Sequence, residues 1–201
     1  MTSETVRSYD RDAAAYVART ATVPDSVRAA LEHVAERLGP GARVLEIGSG
    51  GGRDALLMEQ LGLAVRRTDV TPAFVALLRD QGHACDHLDP LVDDLTSPDG
   101  PYDAVWANAS LLHVARDDLP TVLRRLAAVT RPGGLLRMSV KEGDGEGWST
   151  HGSVPTPRRF VYWREQPLRD LLAESGWQVL ETDHGEGLRG ESWLRLMAVR
   201  R

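Results

Sequence analysis

Between residues 43 and 61 the chain passes from a short apolar run, Arg43 to Ile47, through a glycine-dense turn into a helical pattern. No other feature limits the fold as much. The turn reads Glu46-Ile47-Gly48-Ser49-Gly50-Gly51-Gly52-Arg53-Asp54. Glycines at a strand-to-helix junction let the backbone turn tightly and let a ligand approach without a Cβ in the way. The alternation then continues. A strand is expected near Ala64 to Thr68, a helix opened by Thr71-Pro72 (Thr as N-cap, Pro at the first helical position), and a strand from Tyr102 to Ala107. A helix from Asp117 to Thr130 and a strand from Leu135 to Val140 follow, the latter introduced by Arg131-Pro132-Gly133-Gly134. Such alternation predicts an α/β protein with a parallel sheet and helices on both faces.

Two helices precede this core, near 3–20 and 24–38, and Gly39-Pro40-Gly41 stops the second. A looser Gly-rich segment spans Lys141 to about Trp163, and a helix covers Pro167 to Ser175. Two apolar strands close the chain, Trp177 to Thr182 and Trp193 to Val199, separated by a turn-rich stretch from His184 to Glu191. With no helix between them they must pair antiparallel at one edge of the sheet.

Two acids give the loop its chemistry. Asp69 closes the next strand about twenty residues after the loop, where a carboxylate can accept both ribose hydroxyls of an adenosine. Glu46 stands inside the end of the first strand, two residues before the first glycine of the loop. A carboxylate there repels a pyrophosphate and suits a cofactor that carries an ammonium and a sulfonium. The NAD pattern also wants a third glycine opening the helix. Here Gly52 falls one position early and Arg53-Asp54 follow it.

In this acid-x-Gly-x-Gly-x-Gly motif the chain resembles the class I S-adenosylmethionine (SAM)-dependent methyltransferases, and the likeness extends from Tyr9 to about Val199. It implies a single domain over 1–201, with 1–38 as an N-terminal helical lid and 39–201 as a Rossmann-like core. That core would be a seven-stranded, mostly parallel sheet ending in the antiparallel hairpin. Carried over residue by residue, Glu46, Gly48, Ser49 and Gly50 match the loop that cradles the methionine part of SAM. Asp69 matches the ribose-binding acid, with Val70 beside it. Asp89, before Pro90 and Leu91, resembles the acid after the third strand that recognises the adenine amino group, with Asp86, Asp93 and Asp94 as competitors. Tyr102-Asp103-Ala104-Val105 resembles the Phe-Asp-x-Val opening of the fourth strand, which ends at Asn108 and Ala109, expected to touch the methionine. Tyr9, Tyr16 and Arg19 resemble a lid helix over SAM.

Methyl transfer from a sulfonium needs mainly alignment and exclusion of water, and a general base only where the acceptor must lose a proton. His113, after the fourth strand, is the candidate catalytic and acceptor-binding residue because it titrates near neutrality. Its competing role is to cap or pack ahead of the next helix. Lys141, Trp148, Arg159, Tyr162 and Trp163 form a candidate wall for a planar or anionic acceptor; the glycines between Lys141 and Trp148 predict a mobile loop, and the other three residues lie beyond it.

Composition narrows the acceptor. Over 201 residues the net charge is −5 and the pI about 5.7, which disfavours a large nucleic-acid footprint. The expected acceptor is therefore a small molecule. A tRNA wobble-uridine carboxymethyl group stays open as an alternative, resting on Arg158 and Arg159 with nearby aromatics. A non-catalytic SAM-binding protein is the other. The lone Cys85 supplies neither a disulfide nor a thiolate pair, and no spacing resembles a metal site. No apolar run approaches the ~20 residues that cross a bilayer, and the opening segment lacks the apolar stretch of a secretory signal, so a cytoplasmic protein is expected.

Overall fold

The computed structural model describes residues 1–152, 154–187 and 190–201. Two helices, α1 (Ser3–Arg19) and α2 (Asp25–Leu38), lead into β1 (Arg43–Ile47), α3 (Arg53–Gln60), β2 (Ala64–Asp69), α4 (Pro72–Asp80) and the two-residue β3 (Asp86–His87). Then come β4 (Tyr102–Asn108), a 3-10 turn (Leu111–His113), α5 (Leu119–Val129) and β5 (Thr130–Lys141). A small hairpin, β6 (Glu146–Ser149) and β7 (Arg158–Val161), precedes α6 (Glu165–Glu174), β8 (Trp177–Glu186) and β9 (Ser192–Arg200). Seven strands form one sheet in the order β3-β2-β1-β4-β5-β9-β8, parallel from β3 to β5 and antiparallel at β5–β9 and β9–β8. The expected seven-stranded Rossmann-like sheet with its C-terminal hairpin is what the chain forms.

The reason lies in the strand pattern. β1 sits in the middle of the sheet and must be covered on both faces. Leu45 and Ile47 point to one face and join Val105, Leu123, Leu126, Leu136 and Trp177. Val44 points to the other and joins Leu31, Ala55, Met58, Ala104 and Trp106. On α5, Leu119, Val122, Leu123 and Leu126 recur at helical spacing and are fully buried. Burial of each such leucine stabilises the fold by about 1.5–3 kcal/mol. The Trp177 indole N–H donates to the Leu123 carbonyl at 3.0 Å, tying α5 to the start of β8.

Several boundaries differ from expectation. Helix α5 begins at Leu119 because Pro120 occupies its first turn, which leaves Asp117 and Asp118 in the preceding turn. Thr71 precedes α4 with Pro72 at the start, yet its side chain makes no capping bond. The segment expected to be a mobile loop contains the β6–β7 hairpin, with Trp148 opposite Arg159, and a bridge between Glu142 and Trp163. The C-terminal hairpin is also longer, since His184 to Glu186 continue β8. Leu188 and Arg189 of the expected turn lie outside the described residues.

The order of strands reverses at β1, with β2 on one side and β4 on the other. A crevice therefore opens beyond the C-terminal ends of β1 and β4, where ligands sit in open α/β sheets. Above it lies α1, packed against α4 and β7.

Candidate active site

The crevice begins where β1 ends. Gly48 takes φ 78°, and a Cβ there would lie 2.6 Å from the Ser110 Cβ, so only glycine lets this loop close against the chain beyond β4. The Gly50 N–H donates to Asp69 Oδ2 at 2.9 Å and the Thr71 N–H to Asp69 Oδ1 at 2.8 Å. The ribose-type acid is thus locked in place by backbone, with each oxygen keeping acceptor capacity. Gly48, Gly50, Asp69, Val70, Phe74 and Asp89 line one end of the trough, with Ser110 and Tyr9 on its far side. Of the four competing acids, Asp89 is the one that lines it. Asp86 pairs with Arg66, Asp93 accepts from the Asp89 N–H, and Asp94 accepts from the Thr96 N–H.

The other end of the trough is lined by Glu46, Ser49, Arg53, Asp54, Asn108 and Ala109. Glu46 is buried within a central strand and accepts from the Ser49 hydroxyl at 2.5 Å. Burial, with Asp54 close by, pushes its carboxyl up to about 8. Asp54 accepts from Trp106 Nε1 (3.0 Å), Asn108 Nδ2 (2.8 Å) and Arg53 Nε (3.2 Å). Asn108 is itself oriented by the Ser139 hydroxyl at 2.7 Å, and the same oxygen accepts from the Ala109 N–H at 2.8 Å. Ala109 takes φ 54°, a left-handed conformation rare for a residue with a Cβ. Such strain collects at ligand sites.

The donor set fits SAM. One end offers a buried carboxylate to an ammonium, the other a pre-set acid to a ribose, and the Ser110 hydroxyl between them is buried with no partner among the described residues.

A second cavity of about 500 Å³ adjoins the trough and shares Tyr9, Tyr16, Asn108, Ala109 and His113 with it. Arg19, Lys141, Arg158, Phe160 and Trp193 also face it. His113 Nδ1 lies 2.6 Å from the Arg159 carbonyl, so that nitrogen must carry the proton and donate. Its Nε2 accepts from the Tyr9 hydroxyl at 2.9 Å. Burial pushes the imidazole down to about 3 and the Tyr9 phenol up, so both stay neutral. Tyr9 also meets Tyr16 edge to face, with ring centroids 5.5 Å apart.

The remaining expected wall residues are dispersed. Trp148 is half exposed on β6. Arg159 turns to Glu146, while its carbonyl holds His113. Trp163 is buried with the Arg116 guanidinium 4.0 Å from its ring centre, and Tyr162 packs at the edge of the core. Lys141 alone of that group reaches the cavity, together with His113. Arg158, Phe160, Phe74 and Trp193, absent from the expected site, take the other places. The exposed Arg158–Arg159 pair that a tRNA acceptor requires is not there, because Arg158 is buried and Arg159 is ion-paired.

Against known families, residues 18–182 match the model of a methyltransferase domain. The chain belongs to that methyltransferase family. Its fold is the class I, Rossmann-like one, shared with structures solved with bound SAM or S-adenosylhomocysteine. A ubiquinone biosynthesis O-methyltransferase of Xanthomonas axonopodis pv. citri is 37% identical over 115 residues, covering 54% of this chain and 47% of that protein. The chain thus matches about half the length of such relatives. Among solved structures, the 1,6-didemethyltoxoflavin-N1-methyltransferase of Burkholderia thailandensis, with bound 1,6-didemethyltoxoflavin and S-adenosylhomocysteine (SAH), has a TM-score of 0.73 at 22% identity and covers 97% of this chain and 87% of its own. The magnesium protoporphyrin IX methyltransferase of Synechocystis, with bound SAM, has a TM-score of 0.67 at 20% identity and covers 97% and 81%. These likenesses concern the fold.

Proposed function

We propose that this chain transfers the methyl group of SAM to a small-molecule acceptor, and that α1 is the lid of the reaction chamber. One observation carries the reading: an acidic trough and a roomier cavity meet at Asn108, Ala109, His113, Tyr9 and Tyr16. When bound, SAM supplies an electrophilic methyl group already activated by its sulfonium. The chain's own task is alignment and exclusion of water.

Glu46 would hold the amino-acid end of SAM, Asp69 the sugar, and Asp89 with Val70 the base. Tyr16, Ser49 and Gly50 close the middle, and Arg19 flanks the chamber mouth. His113 acts at the junction. Because Nδ1 is committed to the Arg159 carbonyl, Nε2 is the ring atom free to take an acceptor's hydrogen bond once the Tyr9 hydroxyl yields. Kept neutral by burial, the imidazole can take that hydrogen bond at any physiological pH, which orients the acceptor atom toward the methyl group. Fastening of α1 supports the lid reading: the Ser8 hydroxyl donates to the Pro157 carbonyl at 2.6 Å, and the Ala73 N–H donates to Asp10 at 2.8 Å. Further bonds run from the Thr156 hydroxyl to Asp12 and from the Arg159 N–H to the Thr5 hydroxyl, so opening the lid means releasing this polar set while the sheet stays intact.

Among the described residues no helix is long and apolar enough to cross a membrane. Together with the acidic charge and single buried cysteine, that supports a cytoplasmic setting. Calorimetry with SAH tests the first half: saturable one-to-one binding is expected, and none at millimolar SAH in folded protein ends the reading. Incubation with labelled SAM and a metabolite panel tests the second. Transfer that survives His113→Ala undiminished removes His113 from the mechanism.

A further inference from the structure

Two of the cations that line the larger cavity, Lys141 and Arg158, are poorly matched to their surroundings. Lys141 is only 5% exposed, faces the cavity, and among the described residues makes no hydrogen bond or ion pair. Its ammonium rests 3.9 Å above the centre of the Phe160 ring. The Arg158 guanidinium, 2% exposed, lies 5.2 Å from the centre of the same ring. Two buried positive charges therefore flank one apolar ring, and they repel. Of the carboxylates on this wall, Glu191 draws on the Lys141 charge but also lies 3.8 Å from His151 Nε2.

Arg158 has already spent most of its donors. They go to the Thr156, His151 and Val154 carbonyls and to the Tyr9 hydroxyl. With four of its five N–H groups engaged, it contributes mainly a field. Lys141 is the opposite: its ammonium carries three donors, and among the described residues none of them makes a hydrogen bond. One free donor group inside a field of two charges suits a monovalent anion better than a phosphate dianion. The rings of Tyr9, Phe160 and Trp193 around it suit a flat apolar frame.

We propose that the acceptor is a compact aromatic carboxylate, its carboxylate hydrogen-bonded to Lys141 and its ring laid along Phe160 toward His113. This rests on the methyltransferase reading above and adds the class of substrate. Binding relieves the repulsion between the cations and satisfies a buried ammonium, so the preference for acid over neutral analogue is built into the fold.

The test uses the full chain saturated with SAH and calorimetry with paired probes: benzoate, 3,4-dihydroxybenzoate, 2-naphthoate and indole-3-carboxylate, each against its amide. At least one acid is expected to bind about tenfold or more tightly than its amide. Lys141→Met should erase that preference with SAH affinity unchanged, and Lys141→Arg should keep it. Equal binding of every acid and amide, no binding by any acid, or a preference that persists in Lys141→Met overturns the proposal. Should Lys141→Met fail to fold, loss of the preference in Lys141→Gln decides in favour and its persistence against. Failure of wild-type protein to bind SAH overturns the methyltransferase reading as well, whereas SAH binding without acid preference overturns this proposal alone.

Discussion

The two walls of the cleft are built on opposite electrical principles. Around the glycine loop the buried titratable groups are carboxylates, Glu46, Asp54 and Asp69, and the first is held largely protonated near neutrality by burial. Across the junction the buried groups are Lys141, Arg158 and a neutral His113. An acidic wall waits for a cationic ligand, a basic wall for an anionic one, and the methyl group would pass between them. The difference teaches that each wall is locally frustrated and that binding, more than folding, resolves the strain.

The largest expected effect breaks the acidic wall alone. Asp69→Asn keeps the shape of the side chain while removing the charge that Gly50 and Thr71 hold in place. SAH affinity should fall about 100-fold, the loss of a charge-assisted pair of hydrogen bonds. Lys141→Met should leave it within about twofold. Titration of both variants with SAH checks this, and equal losses would dissolve the distinction between the walls.

This asymmetry also explains what could be read from sequence. The acidic wall is local: Glu46, Gly48, Gly50 and Asp69 lie on one strand–loop–helix–strand unit, so spacing carries their geometry. The mostly parallel sheet, the closing hairpin and the loop were legible for the same reason. The basic wall gathers Tyr9 from α1, Lys141 from β5, Arg158 and Phe160 from β7 and Trp193 from β9, and no spacing encodes that meeting. The choice between Arg158 and Arg159 is instructive. Once residues 158–161 form a strand, neighbours point to opposite faces, so a one-residue error moves the wrong guanidinium into the cavity. The stretch looked like a loop because its glycines and prolines outweighed its short apolar run. Phe160 one position past Arg159, alternating with Arg158, was the available signal.

The second prediction concerns acid stability and separates the walls by sign. His113 is pushed from about 6.5 to about 3 in the fold. The unfolded chain therefore binds a proton through that window that the folded chain refuses, so this stabilisation is complete above pH 6.5 and drains as pH falls toward 3. Each pH unit removes about 1.4 kcal/mol. Glu46 runs the other way: raised from 4.5 to about 8, it stabilises fully below 4.5 and loses that contribution as pH rises through 8. Urea titrations at pH 6.5 and 5.0 should show His113→Asn losing about 2 kcal/mol less than wild type over the interval. A parallel loss in both proteins would mean that His113 does not stay buried and neutral.

The third sharpens the acidic wall. An ammonium beside Glu46 favours its ionised form and draws the carboxyl back down. SAH binding at pH 7 should then release up to about one proton, read from calorimetry in buffers of differing ionisation enthalpy. In Glu46→Gln the release should vanish, with affinity lowered. An unchanged proton count in that variant would place the released proton elsewhere.

The smallest effect is expected where the walls touch. Ala109 follows β4 at φ 54° and is pinned there by the bond from its N–H to the Ser139 hydroxyl. A Cβ in that conformation costs about 1 kcal/mol, which glycine avoids, although glycine adds freedom to the unfolded chain. Ala109→Gly should therefore shift thermal stability only slightly, by at most about 2–4 °C and upward. Gly48→Ala, which adds a Cβ at φ 78° against Ser110, should destabilise clearly. If Ala109 is held strained so that it presents a fixed surface to both ligands, its glycine variant should bind SAH and acceptor less tightly despite the gain in stability. A glycine variant that is both more stable and equally tight would show that the conformation is incidental to the site, and that the two walls are joined only by their shared volume.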